Sequence, residues 1–379
     1  MTFPKSWVEI SRRAITSNVQ TFKRHLGKKT LLMTVVKSNA YGHGLIPFST
    51  IAAAAGTDWF GVDQLDEALA LRKAGILQPI LVLGYTSPAR FKEAAESRIS
   101  ITVYSKTAIL AAKKLNVSKN DRLRVHLEIE TGITRQGLSG SELLSLAKKL
   151  HALPHIEIEG VFTHFANIED TTDAGFSNVQ LKRFSDALKE LAQIGINPPV
   201  RHTACSAAAI LFPNTLFTVA RVGISSYGFW SSKETQATAL IIKKPLFLKP
   251  VLTWKTLIAQ VKQVQKGTGI SYGLTERVKR DSFIAVIPVG YWDGYDRGFS
   301  RIGNVLIHGH RCKVLGRVCM NMFMVDVTDV PGVREGMEVV LIGKQGTEVI
   351  RAEDLATQIE TIHYEIVTRI NPLVPRIVV

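Results

Sequence analysis

An alternation in the first part of the chain constrains its fold more than any other feature. Over roughly the first 230 residues, short apolar runs take turns with segments of helical period. The runs are Leu31–Val36, Trp59–Val62, Ile80–Gly84, Ile99–Val103, Leu123–Ile129, Ile158–Phe162, Val200–Thr203 and Thr218–Val222. A short, nearly continuous apolar run is the pattern of a strand covered on both faces. Between the runs, Leu65–Ala74 ends at Gly75, and Ser141–Leu150 carries Leu143, Leu146, Ala147 and Leu150 on one stripe, as amphipathic helices do. A leading helix is expected over Ser11–Leu26, stopped by Gly27. Eight strands alternating with helices predict a closed (β/α)8 barrel. An open doubly wound sheet usually carries a glycine-rich fingerprint after its first strand, and no G-x-G-x-x-G follows Leu31–Val36. The glycines of Gly267–Gly273 have the wrong spacing and read as a turn region.

From about Pro245 the texture changes. Leu252–Val264, Phe283–Val289, Val305–His308, Met322–Val327 and Val339–Ile342 read as strands, followed by a single amphipathic helix over Arg351–Thr361. This predicts a separate, mainly-β domain. The expected class is α/β: an N-terminal (β/α)8 TIM-like barrel over residues 1–240, then a C-terminal mainly-β domain over 241–379. A chain of 379 residues is long enough for both.

Charge bears on the partners, because 47 Lys and Arg against 32 Asp and Glu leave +15. The excess occurs as scattered pairs, Lys28-Lys29, Lys113-Lys114, Lys148-Lys149 and Lys243-Lys244. No long basic block or aromatic stacking motif accompanies them, so no nucleic-acid partner is expected. No apolar stretch reaches the roughly 18 residues of a spanning helix, so no membrane partner is expected either. The N-terminal residues lack a cationic segment followed by an apolar one. Three cysteines, Cys205, Cys312 and Cys319, form no disulfide framework. Together these predict a cytoplasmic protein. His308-Gly-His310 has no third ligand of suitable spacing, so a turn-edge pair is expected and no metal site.

In a barrel, chemistry collects where the strands run out at their C-terminal ends. Lys37 closes the first run and is followed by a polar loop, Ser38-Asn-Ala-Tyr-Gly-His-Gly44. A lysine there either snorkels outward or is placed inside, where a partly desolvated amine becomes a usable nucleophile towards an aldehyde. The same rule selects Arg135 after the fifth strand, His164 at the end of the sixth, His202 and Ser206 around the seventh, and Arg221 with Gly223 at the eighth. Ser206, Gly223 and Ile224 would supply a hydroxyl and backbone N–H groups to a phosphate. An amine able to form a Schiff base beside a phosphate cradle points to pyridoxal phosphate.

At these positions the chain resembles the alanine racemase family along essentially its whole length. The resemblance rests on Val36-Lys-Ser-Asn-Ala-Tyr-Gly-His-Gly44, Thr163-His-Phe-Ala166, Ala220-Arg-Val-Gly223, Gly290-Tyr-Trp-Asp-Gly294, Gly316-Arg-Val-Cys-Met320 and Tyr364-Glu365. It implies Lys37 as the Schiff-base lysine, with Tyr41, Ser206, Gly223, Ile224 and Tyr364 around the cofactor phosphate. It implies Arg221 at the pyridine nitrogen and Arg135 at the phenolic oxygen and the substrate carboxylate. Tyr272 is implied as the second catalytic base, biased towards its phenolate by a His164–Arg221–His202 network. Tyr272 and Met320 would come from the partner subunit, so a homodimer with shared active sites is implied. Tyr291 and Arg297 resemble residues of an entrance corridor that favours small amino acids.

The activity implied is interconversion of L- and D-alanine, supplying D-alanine for peptidoglycan. A broad-specificity or serine racemase, a related decarboxylase and a non-catalytic pyridoxal-phosphate-binding protein are the alternatives. Three residues depart from the family pattern. Glu128 stands seven residues before Arg135, where many members carry a carbamylated lysine; a glutamate would replace that anion without carbon dioxide. Asn321 follows Met320 where aspartate is usual, and Cys205 precedes Ser206 where asparagine is common.

Overall fold

The computed structural model describes residues 4–118, 121–242 and 246–379. Lys243-Lys244 and Pro245, where the change in texture falls, lie outside the described residues. Two compact units emerge, one of Arg13–Ala40 with Phe48–Pro250, the other of residues up to Arg12, Tyr41–Pro47 and Val251–Val379.

The first strand, β1 (Ser6–Ile10), belongs to the second of these units. The other unit holds β2 (Leu31–Val35), β3 (Trp59–Val62), β4 (Ile80–Val82), β5 (Ser100–Val103), β6 (Leu123–Glu128), β7 (Ile156–Phe162), β8 (Val200–His202) and β9 (Val219–Val222). They pair in parallel in the order β8-β7-β6-β5-β4-β3-β2-β9. Thr218 N–H donates to Arg201 O at 3.0 Å and Arg221 N–H to Ala204 O at 2.9 Å, which joins the two ends into a near-barrel. These strands are the eight apolar runs, and four of them, β3, β4, β5 and β9, are buried along their whole length. Helices alternate with them, among them Gly140–His151, whose buried face is Leu143, Leu146, Ala147 and Leu150. The leading helix runs Arg12–Leu26, and Gly27 follows it at φ 69°, the left-handed stop that glycine adopts most easily.

The second unit is mainly β. Its further strands are β10 (Leu252–Leu257), β11 (Gln260–Val264), β12 (Gly269–Ile270), β13 (Glu276–Arg277), β14 (Ser282–Ile287) and β15 (Asn304–Ile307). After them come β16 (His310–Leu315), β17 (Phe323–Asp326), β18 (Glu338–Gln345), β19 (Glu348–Ile350) and β20 (Arg376–Val378). The main sheet is ordered β11-β14-β17-β16-β15-β18-β10-β1-β20. Leu252–Val264 is thus two strands, because the chain changes partner at the break: Ile258 N–H donates to Met337 O and Ala259 N–H to Val286 O. The expected helix over Arg351–Thr361 is Ala352–Gln358, with a second short helix at His363–Thr368. His308 and Gly309, both at positive φ, form the two-residue turn between β15 and β16, the primed geometry that tight hairpins require.

Candidate active site

Lys37 emerges from the C-terminal end of β2, its side chain half-exposed, with Nζ 3.9 Å from Asp63 Oδ1 at the end of β3. The segment after it is no ordinary loop. Ser38, Asn39, Ala40 and Tyr41 all have φ between 50° and 56°, one turn of left-handed helix with no glycine in it. Such a conformation costs an L-residue about 1–2 kcal/mol, so its surroundings must hold it. Ala40 N–H donates to Val36 O at 2.9 Å. Asn39 N–H donates to Glu67 Oε1 at 3.2 Å, while Glu67 Oε2 accepts from Asp63 N–H at 3.0 Å. One carboxylate thereby ties the turn after Lys37 to the end of the neighbouring strand. No pattern around Glu67 in the chain signals this role.

Arg221, on β9, is almost wholly buried. Its Nη1 donates to His202 Nδ1 at 2.8 Å and to His202 O at 2.9 Å. Its Nη2 donates to Thr163 O at 2.8 Å, Thr203 O at 3.0 Å and His164 Nδ1 at 3.2 Å. Guanidinium has no acceptor, so both imidazoles accept through Nδ1. Burial first, then the charges of Arg221, Arg135 and Lys37, push His164 down to about 3. His202 is also pushed down, by burial and by Arg221. Both rings are therefore neutral near pH 7, with the proton on Nε2. The expected network exists, but its only cation is Arg221, itself lowered to about 10 by burial. Among the described residues, Arg221 Nε–H alone of the guanidinium donors has no partner.

Ser206 opens the short helix Ser206–Leu211, and its Oγ accepts from Gly223 N–H at 3.1 Å. Gly223 leads into the 3-10 turn Ile224–Tyr227, where the first N–H groups of a helical turn lack intrahelical acceptors. Tyr227 Oη anchors this turn to the lysine strand by donating to Val35 O at 2.9 Å. Glu128, at the end of β6, is buried; its Oε2 accepts from Gln136 Nε2 at 2.5 Å, and its Oε1 has no hydrogen-bond partner among the described residues. Burial raises its carboxyl to about 7, against the Gln136 hydrogen bond and the Arg135 and Arg221 charges. Arg135 is exposed and makes no hydrogen bond among the described residues. The acid at position 128 thus meets the arginine through charge, with Gln136 as its direct partner.

The second unit carries Tyr41, Tyr272, Met320 and Tyr364. The Tyr41 and Tyr364 rings lie 6.1 Å apart. Arg376 holds the segment after Tyr41, its Nε and Nη2 donating to Gly42 O at 3.0 and 2.9 Å. Only glycine fits at position 42, since a Cβ there would stand 2.0 Å from Val367 O. Tyr272 is 72% and Met320 55% exposed, so within this one chain neither is packed away. Ser271 beside Tyr272 donates to Arg317 O at 2.7 Å, tying that turn to the strand-end loop that carries Met320. Asn321 is exposed next to it. No cluster of metal-ligating side chains occurs among the described residues, and no helix there is long and apolar enough to cross a membrane.

A lysine, an arginine and imidazoles gathered at the strand ends of a TIM-like barrel, in a chain with a mainly-β second unit, define the class: a barrel enzyme with an appended β domain. The family models for the alanine racemase N-terminal domain and C-terminal domain match residues 10–230 and 251–378. The chain is 41% identical over 371 residues to the alanine racemase of Symbiobacterium thermophilum, covering 98% of this chain and 96% of that one. It is 39% identical over 372 residues to that of Methanococcus maripaludis, covering 98% of each. The crystal structure of alanine racemase from Bacillus anthracis with bound L-Ala-P superposes with a TM-score of 0.93 at 38% identity, covering 100% of this chain and 96% of that one. The enzyme from Streptomyces lavendulae gives 0.90 at 34%, covering 100% and 98%. The chain belongs to the alanine racemase family.

Proposed function

We propose that the protein interconverts L- and D-alanine with pyridoxal phosphate carried on Lys37. The observation that carries this reading is the setting of Arg221. Its other donors are consumed by protein acceptors, and the single N–H left over is the one a pyridine nitrogen would accept. Ser206 Oγ, 3.1 Å from Gly223 N, and the N–H groups opening the Ile224 turn have the chemistry to hold a phosphate, helped by Tyr41 and Tyr364. Bound pyridoxal phosphate supplies an electron sink that makes the substrate's Cα proton removable.

Racemisation then needs one proton removed from one face of Cα and another delivered to the opposite face. Lys37 Nζ takes the first position and the Tyr272 hydroxyl of a second copy the other, with Met320 beside the substrate; the working unit is a homodimer. Arg135 receives the substrate carboxylate. His164, neutral and holding its proton on Nε2, is a donor able to favour a tyrosine phenolate, and Arg221 behind it supplies the positive charge. Arginine stays protonated where a carboxylic acid would release its proton to the ring, which suits racemisation better than transamination. Three free cysteines agree with a cytoplasmic enzyme that supplies D-alanine to peptidoglycan.

The test is D-amino-acid formation by purified holoenzyme given L-alanine and L-serine separately, alongside Lys37→Ala. D-alanine formed faster than D-serine, and lost in the variant, is expected. Release of carbon dioxide, or no D-alanine, would overturn the reading.

A further inference from the structure

His202 does not end the chain of hydrogen bonds that begins at Arg221. Its Nε2 lies 2.9 Å from Nδ1 of His126, and His126 Nε2 lies 3.2 Å from Glu159 Oε2. Both rings are fully buried inside the barrel. His202 is stacked on Phe162, with centroids 4.8 Å apart and planes 9° from parallel. The same Glu159 oxygen accepts from Ser100 Oγ.

The protons on this line can be placed from its two ends. Arg221 can only donate, so His202 Nδ1 accepts and its proton sits on Nε2. That proton points at His126 Nδ1, which must therefore be bare, leaving the His126 proton on Nε2 aimed at Glu159. The far end agrees, because an ionised carboxylate only accepts. The hydrogen bonds that Glu159 Oε2 accepts from Ser100 Oγ and from His126 favour its ionised form. Every donor in the row points the same way, and such chains polarise their members cooperatively. The barrel leaves room for this arrangement: the β6–β7 register shifts between Val125 and His126, and the position facing the ring is Gly160.

We infer that Glu159, acting through His126 and His202, is a positioning residue for Arg221, fixing both imidazoles as Nε2–H tautomers and strengthening the acceptor that holds the guanidinium. This rests on the proposed role of Arg221 in racemisation, but the tautomers are independent of it. The experiment is nitrogen-15 NMR of histidine-labelled holoenzyme, wild type and Glu159→Gln, with steady-state racemisation of both. Glutamine keeps one oxygen able to accept from both His126 and Ser100, so the variant removes charge with little loss of shape. In the wild type both rings should be neutral Nε2–H tautomers. In the variant the Nε2–H protons of His126 and His202 should both move upfield, with kcat lower by about three- to tenfold, the size of one net hydrogen bond, and KM unchanged. A proton on His202 Nδ1 in the wild type, a change confined to His126, or an unaltered kcat would overturn the inference. A wild type with the expected tautomers but no racemisation would instead overturn the functional reading.

Discussion

Gly160 and His126 occupy one small volume inside the barrel: a Cβ added to Gly160 would lie 2.4 Å from the ring atoms Cε1 and Nδ1 of His126. The imidazole has no exposed surface and is fixed at both nitrogens, so it cannot step aside cheaply. Gly160→Ala is expected to destabilise the fold by about 1–3 kcal/mol, the usual range for overpacking. Urea unfolding measures this, and a wild-type midpoint would mean the ring is free to move.

The left-handed turn after Lys37 makes a second prediction. Ser38 is exposed with φ 56°, so substitutions there test backbone conformation more than packing. A β-branched residue is a poor fit to positive φ. Ser38→Val should lower stability by about 1 kcal/mol or more, whereas Ser38→Gly, free of the left-handed penalty, should be neutral or stabilising. Equal unfolding free energies for the two variants would contradict this.

Arg221→Glu should increase transamination events per racemisation turnover, because a carboxylic acid can share a proton with the ring nitrogen and arginine cannot readily do so. The ratio is read by following loss of cofactor aldehyde during turnover. An unchanged ratio would mean that suppressing transamination is not why an arginine stands at this position.

Glu128 predicts a pH dependence of stability. Its ordinary value is 4.5 and burial raises it to about 7. Between those values the folded chain keeps a proton that the unfolded chain releases, so this group makes stability fall as pH rises through the window. Glu128→Gln should remove that slope. The stability of the variant relative to wild type should be greater at pH 8 than at pH 5, by on the order of 1–3 kcal/mol. Because glutamate needs no carbon dioxide to become an anion, depleting bicarbonate at pH 8 should leave wild-type activity unchanged. Recovery of activity on adding bicarbonate would contradict this.

The barrel was legible because strands buried on both faces write continuous apolar runs, and all eight runs are strands. Strands β1 and β20 were not legible, since β1 pairs with Leu252–Leu257 and Arg376–Val378, partners too distant in the chain to leave a local pattern. Among the site residues, Arg221, His164 and His202 stand at strand ends, where the barrel rule finds them. His126 sits inside a run counted as apolar. Its signal was present all the same: Arg124, His126 and Glu128 alternate with Leu123, Val125 and Leu127, a period of two that puts polar groups on one face. The turn at Ser38–Tyr41 carries no glycine, the residue that normally announces positive φ, so only the backbone reveals it.

Whether Lys37 holds the cofactor is tested most directly by reduction with borohydride followed by peptide mapping. A single peptide, the one containing Lys37, should gain the mass of a reduced pyridoxal phosphate adduct, and Lys37→Ala should gain none. Labelling of a different lysine in the wild type, or equal labelling of the variant, would contradict the assignment of Lys37.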